Sequence, residues 1–484
     1  MFRPWATQKF RVLVLLIVVL AVTPPAAAQN PSPVDDPDVQ GAMRLFSAWL
    51  EGQLRWRQLP GVVVGVVADQ ELVWAEGFGL ADIASEEPMT PETRFRMASH
   101  SKLFTATAIM QLREQGMLRL DDAVADHLPW FEVQSAAEDD PQITIEQLLT
   151  HSSGLPREAG AHWVTHEFPT REELRQLMPD REAPFSPEVR WKYSNLAYSV
   201  AGMVVEEISG LSWADYLQAN IFDPLGMTSS SVDQPVDGMA TGYGVRLPSG
   251  ERETFDFVDA RGMASATGLT STVQDMAQFV SAQFRKGARG DGRILSTASL
   301  REMHRVRMLE NTWTRGQGIG FSVQRANDTL YIGHGGGYPG YTTNTTIQLD
   351  SKVGVIVLTN TLDSNPSQIA RQLMSTVGTA VAKATKPDSD TVAWDPSWAR
   401  FAGRYKSGWG ESQVVLLNER LVIINPAASN VNNPTRLEPI GDGVFRFVAP
   451  TGGSVVGELV RFVEEDGVVI RMIVGDSFSD RLRD

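Results

Sequence analysis

The spacing of apolar positions changes period several times along the chain. From Val39 to Trp56 they recur at helical intervals (Met43, Leu45, Phe46, Trp49, Leu50, Leu54), which predicts an amphipathic helix. Gly61 to Val67 and Leu72 to Ala75 are short apolar runs around the polar turn Asp69-Gln70, the pattern of a β-hairpin. A helix of small and apolar residues then starts almost at Ser99, runs through Leu103 and Met110, and stops near Gly116. The middle of the chain reads as helices and loops. Thr144 to Gln147 and Thr170 to Glu173 have capping-box form. Helical runs cover Leu196 to Ile208 and Trp213 to Ile221, and Thr272 to Asp275 opens another.

Strand signals return at Gly320 to Val323, Leu330 to Ile332, Tyr341 to Leu349 and Val353 to Leu358, followed by a helix from Ile369 to Ala382. A unit that opens with helix and hairpin and closes with strands and helix predicts an α+β fold. Its antiparallel sheet is assembled from both ends of the unit, flanked by helices, with a helical subdomain inserted between. Lys386 to Asp395 is polar and proline-bearing, a linker composition. Beyond it only short strands fit, at Val414 to Leu417, Leu421 to Ile424, Val444 to Phe447, Leu459 to Phe462 and Val468 to Arg471. They predict a small all-β barrel or sandwich.

Composition changes this picture mainly at the start of the chain. Arg3, Lys9 and Arg11 precede the apolar run Val12 to Val22, and Pro24, Pro25 and Ala26 to Ala28 follow. This is the layout of a secretory signal peptide, too short in its apolar part to span a bilayer, and it predicts an exported protein, periplasmic or secreted. The expected domains are therefore a signal peptide over 1–28, a first domain over 29–385, a linker over 386–397 and a barrel over 398–484. Loss of Arg3, Lys9 and Arg11 takes the formal charge from −15 to −18. An acidic chain without a basic cluster argues against nucleic-acid partners and against docking on anionic lipid. The absence of cysteine removes disulfides, thiolate metal sites and a cysteine nucleophile.

Candidate chemistry concentrates in three stretches. Ser99 and Lys102 are i, i+3 on one helix face, so the amine stands beside the hydroxyl. Ser101 is turned away from that face. Tyr193 and Asn195 lie two apart on a loop just before the Leu196 helix, where both can face one cleft. Gly333-His334-Gly335-Gly336-Gly337 follows a predicted strand, and adjacent glycines mark a place where something approaches the backbone closely. Taken singly, each has an ordinary structural explanation: a helix cap with a surface lysine, a core tyrosine, a hairpin turn.

Together, Ser-x-x-Lys, Tyr-x-Asn and His-x-Gly in that order resemble the serine β-lactamase and penicillin-binding-protein superfamily, in its class C-like serine hydrolase branch. The resemblance covers about 39–383. It includes Leu148 to Leu155, Pro224 to Met227 and Gly268 to Thr272, and 400–484 look like the lipocalin-like barrel often appended to such hydrolases. It implies that Ser99 is acylated and that Lys102 accepts the serine proton. It implies that Tyr193 passes protons and that Asn195 holds Lys102 or a substrate amide. The oxyanion site would be the backbone of Ser99 and Gly337, within the substrate-binding run Gly335 to Gly337.

One departure matters. The third motif of β-lactamases proper usually carries lysine and threonine, where this chain has His334 and Gly335. The resemblance therefore implies a D-amino-acid peptidase, D,D-carboxypeptidase or esterase more than a β-lactamase proper, which remains the alternative together with a low-turnover penicillin- or peptidoglycan-binding protein. The expected partner is a small-molecule or peptide substrate, with no cofactor or metal; the oligomeric state is left open. His162 and His166 have metal-compatible i, i+4 spacing but no third ligand nearby, and a substrate-facing lid fits their aromatic loop better.

Overall fold

The computed structural model describes 32–285, 294–310, 312–326, 329–385, 394–417, 420–424, 435–448 and 454–482. The signal peptide expected over 1–28 and most of the linker expected over 386–397 lie outside these residues. No helix among them is long and apolar enough to cross a membrane.

Helix α1 (Pro37–Arg57) leads into β1 (Gly61–Ala68), β2 (Glu71–Asp82) and β3 (Glu87–Pro88). Strand β4 (Phe95–Ala98) feeds α2 (Ser101–Glu114), and the helical middle contains α3 (Asn195–Ser209). Strands β5 (Ser231–Val232) and β6 (Leu269–Ser271) form a small sheet with β4 in which β6 lies in the middle, and α4 (Val273–Ala282) follows. The chain returns through β7 (Met308–Leu309), β8 (Arg315–Gln317), β9 (Ser322–Ala326), β10 (Thr329–Tyr338), β11 (Tyr341–Gln348) and β12 (Val353–Thr359) to α5 (Pro366–Leu373). Among the described residues the main sheet has nine strands in the order β3-β2-β1-β12-β11-β10-β9-β8-β7. Its antiparallel joint between the first and last segments is β1 against β12, with Val64 opposite Val357. This is the α+β architecture that the periodicity predicts.

The continuous apolar run of β1 is explained by burial on both faces. Val62, Val64 and Val66 pack with α1 and α5, while Val63 and Val67 face the larger core that holds α2, α3 and α4. In β12, Val353, Val355 and Val357 take the first side and Ile356 and Leu358 the second. Both capping boxes form as their sequences predict, at Thr144/Gln147 and at Thr170/Glu173. The helix expected over 369–382 is longer and less regular, because α5 continues through a π-helical turn at Met374–Gly378.

The C-terminal strands β13 to β20 (Gly403–Ser407, Gly410–Leu417, Arg420–Ile424, Thr435–Gly441, Val444–Val448, Leu459–Glu465, Val468–Val474, Ser477–Arg481) close into a barrel among the described residues. Closure pairs Tyr405 with Arg481, bringing first and last strands together. The last strand follows Gly475-Asp476, so Ser477 belongs to a barrel hairpin. Tyr405, Val414, Leu421, Leu437, Phe445 and Val460 fill the interior, with Trp398 and Phe401 of the 3-10 helix Pro396–Phe401 packed against them.

Candidate active site

The nucleophile candidate stands on a strained turn. Ala98 ends β4 at φ 51°, a left-handed conformation unusual for a residue with a Cβ. Helix α2 starts only at Ser101, so Ser99 sits in the turn before it rather than inside the helix as the spacing suggested. The first turn still delivers the predicted neighbours, since Lys102 N–H donates to Ser99 O at 3.1 Å. Ser101 faces elsewhere and braces the turn: it donates to Ala98 O (2.8 Å) and accepts from Leu269 N–H (2.9 Å).

Lys102 is fully buried, with Nζ 3.1 Å from Ser99 Oγ, 2.7 Å from Asn195 Oδ1 and 2.7 Å from Ala266 O. Burial holds its pKa well below the usual ammonium range; the Glu158 carboxylate opposes this and the Arg157 charge adds to it. Tyr193 donates its hydroxyl proton to Ser99 Oγ at 2.8 Å, and burial pushes the phenol pKa up, so it stays protonated. Ser194, not Asn195, caps α3, accepting from Ala197 N–H. That leaves the Asn195 amide free to work in the site. Its Oδ1 accepts from Lys102 and its Nδ2 donates to Glu158 Oε1 at 2.7 Å. Of the two expected roles for Asn195, holding Lys102 is therefore the one that its contacts fit.

The glycine run is not a turn after a strand; it is strand. β10 continues through Gly337 and pairs with β11 from Tyr331↔Gln348 to Tyr338↔Tyr341, while its pairing with β9 stops at Gly333. The edge of β10 from His334 onward is consequently open on that side. A Cβ on Gly336 would lie 2.5 Å from Met97 O and 2.4 Å from Thr343 Oγ1, and one on Gly333 would meet Thr345 O at 2.0 Å. Bare backbone is what lets β10 pass directly over the nucleophile turn. Replacing Gly336 by alanine should therefore lower stability by about 1–3 kcal/mol, the cost of overpacking. A denaturant titration with an unchanged midpoint would show that the contact relaxes freely.

His334 is 9% exposed, its ring centroid 6.1 Å from that of His100 and 6.5 Å from that of Tyr193. Burial and the nearby Lys102 lower its pKa to about 3, so it is neutral at physiological pH. Nδ1 lies 2.6 Å from Gly335 O. A carbonyl can only accept, so the proton is on Nδ1 and Nε2 is left as a bare acceptor. All five expected catalytic residues thus come together, and the third motif contributes a neutral acceptor in place of a cation.

Sequence reasoning missed a layer behind them. Glu158 accepts from Asn195, from Arg157 Nε (3.0 Å) and from His162 Nε2 (3.0 Å), and these bonds keep its carboxyl low against the effect of burial. His162 is buried on Glu158, whereas the His166 ring lies 5.5 Å from Phe255. The i, i+4 pair is split between two different partners, and His162 forms a support for Asn195 rather than a lid. His151, at φ 57°, accepts from Ser194 N–H through Nδ1 and lies 4.3 Å from the Tyr193 ring. The Ser153-Gly154-Leu155-Pro156 turn is the signal that could have hinted at Glu158, while His151 lay within the Leu148 to Leu155 resemblance and His162 stood out only by its spacing to His166.

Residues 46–374 match the family model described as Beta-lactamase. Penicillin-binding protein 4* of Bacillus subtilis (strain 168) is 29% identical over 309 residues, 60% of this chain; the match spans just under two thirds, 66%, of that relative's length. The octameric penicillin-binding protein homologue from Pyrococcus abyssi has a TM-score of 0.61 at 23% identity, covering 90% of this chain and 99% of that one. A D-stereospecific amidohydrolase from Streptomyces sp. gives 0.58 at 22%, covering 70% and 98%. EstCE1, a hydrolase with promiscuous acyltransferase activity, gives 0.59 at 22%, covering 72% and 99%. At such identities these structures speak for the fold. The family model, by contrast, matches more than half of the chain over the segment that holds Ser99, Lys102, Tyr193, Asn195 and His334, and the chain belongs to the beta-lactamase family of serine hydrolases.

Proposed function

We propose that this chain is an exported acyl-transferring serine hydrolase that cleaves amide or ester bonds through an acyl-enzyme at Ser99, of the D-amino-acid peptidase, D,D-carboxypeptidase or esterase kind. The observation that carries the reading is the double contact on Ser99 Oγ, from a buried amine and a protonated phenol. A neutral Lys102 keeps its two N–H bonds for Asn195 Oδ1 and Ala266 O and turns its lone pair to Ser99. It accepts the hydroxyl proton as Oγ attacks the carbonyl carbon. The new C–O bond pushes charge onto the carbonyl oxygen, which meets the Ser99 N–H and the open edge of β10 at Gly337. Each such donor contributes about 3 kcal/mol of transition-state stabilisation. Tyr193 hands its proton to the departing nitrogen or oxygen and regains one from Lys102. Water then follows the same path in reverse and frees Ser99.

The neutral His334 separates this reading from a β-lactamase proper. A bare Nε2 acceptor suits a donor group on the substrate and offers no charge to a carboxylate. The test is covalent. A fluorophosphonate should add one adduct mass, and peptide mapping should put it on Ser99. In a turnover panel of D-amino-acid amides, p-nitrophenyl esters and nitrocefin, the first two should exceed nitrocefin. Fast nitrocefin turnover would restore the β-lactamase alternative, and a penicillin adduct that never turns over would favour the binding protein.

A further inference from the structure

The chain is acidic, with a formal charge of −15, and its third motif offers no cation. Two cations nevertheless flank Tyr193, at positions that the three motifs do not include. Arg157 Cζ lies 5.3 Å from the centroid of the Tyr193 ring, so a single tyrosine side chain separates the guanidinium from Ser99. Its backbone is clamped by the loop that carries Tyr193: Asn195 N–H donates to Arg157 O at 2.8 Å, and Ser194 Oγ donates to Pro156 O at 2.6 Å. Nε is bonded to Glu158, yet the side chain is 65% exposed, and the two terminal nitrogens have no hydrogen-bond partner among the described residues.

Lys192 is the second cation, half-buried, one residue before Tyr193, with no hydrogen-bond or ion-pair partner for its ammonium among the described residues. Burial lowers its pKa, and the Arg157 charge lowers it further against the opposing Glu158 carboxylate. Glu158, the carboxylate that acts on both among the described residues, is already shared with Asn195 and His162. An arrangement of two like charges with a spare planar fork is relieved by an anion, and a carboxylate fits that fork with two parallel bonds.

We propose that Arg157 and Lys192 form a carboxylate-binding subsite on the Tyr193 side of Ser99, which selects acyl donors carrying a carboxylate close to the scissile bond. The subsite deepens the acyl-enzyme reading and rests on it. It also relocates substrate charge recognition from the third motif to the loop after His151. Stacking on Tyr193 as mere support is the competing role for Arg157, and it predicts no preference for charge.

The experiment compares two fluorophosphonates of matched linker length, one ending in a carboxylate and one in the isosteric carboxamide, over several lengths. At the best length the carboxylate reagent should label Ser99 about 10-fold faster or more. In the R157Q/K192Q double variant that ratio should fall toward one, and Arg157→Lys, which keeps the charge and loses the fork, should keep only part of it. The ratio cancels any general loss of reactivity in a damaged site. A wild-type ratio at or below one for every linker, or a ratio that the double variant leaves unchanged, overturns the subsite. If neither reagent labels Ser99, the acyl-enzyme reading itself falls and the subsite with it.

Discussion

Alanine at Ser99 should reduce turnover of any substrate found by the panel by on the order of 10⁴- to 10⁶-fold, because removing the nucleophile of a concerted set costs nearly as much as removing the whole set. The loss should appear in kcat, with KM changed little, since Ser99 contributes one small hydroxyl to ground-state binding. Folding should survive. Ser99 is half-buried, and the turn is braced by Ser101 on Ala98 and Leu269 and by His100 on Thr345 (2.9 Å). An unchanged melting temperature with activity lost is the expected pair of results. Retention of full activity by Ser99→Ala would sink the acyl-enzyme mechanism, whatever the substrate.

Lys102→Arg should cost about 10³- to 10⁴-fold in kcat/KM, in the upper range of what a positioned general base contributes. Arginine keeps the donors but cannot give up its proton at any working pH. Wild-type activity should rise with pH as the buried ammonium loses its proton and level off well below the pH at which an exposed lysine titrates. The sign follows from the direction of the shift: burial favours the neutral amine, and only the amine can take the Ser99 proton. Tyr193 cannot supply that limb, because its own shift is upward. The measurement is kcat/KM against pH for wild type and variant. A profile that keeps climbing to the range of an ordinary lysine would show that Lys102 is not the base.

Much of the fold was legible before any coordinates. Periodicity alone separates the β1–β2 hairpin, the capped helices and the short strands of the C-terminal unit, because each depends on residues near one another in sequence, whereas closure of those strands into a barrel joins its two ends. The expected split of the sheet between both ends of the first unit followed from element order, and β1 against β12 bears it out. The glycine run was misjudged for a definite reason. Locally, Gly335 to Gly337 lack side chains that favour a strand, and only the pairing with β11 and the approach of Met97 make extended backbone the stable answer there.

The sequence by itself determined which groups could do chemistry: a serine with a lysine one helical turn on, a tyrosine with an amide, and a histidine set among glycines. Those choices reside in residue identity and spacing, which survive without a fold. Tertiary structure alone decided their protonation states and their neighbours. Lys102 becomes a weak base and His334 a neutral acceptor only because the core and β10 remove water from them, and desolvation cannot be read from a string. Glu158, His162 and Arg157 entered the site for the same kind of reason. They carry no motif, and a loop clamped to Ser194 and Asn195 brings them into the surroundings of a nucleophile far away in the chain.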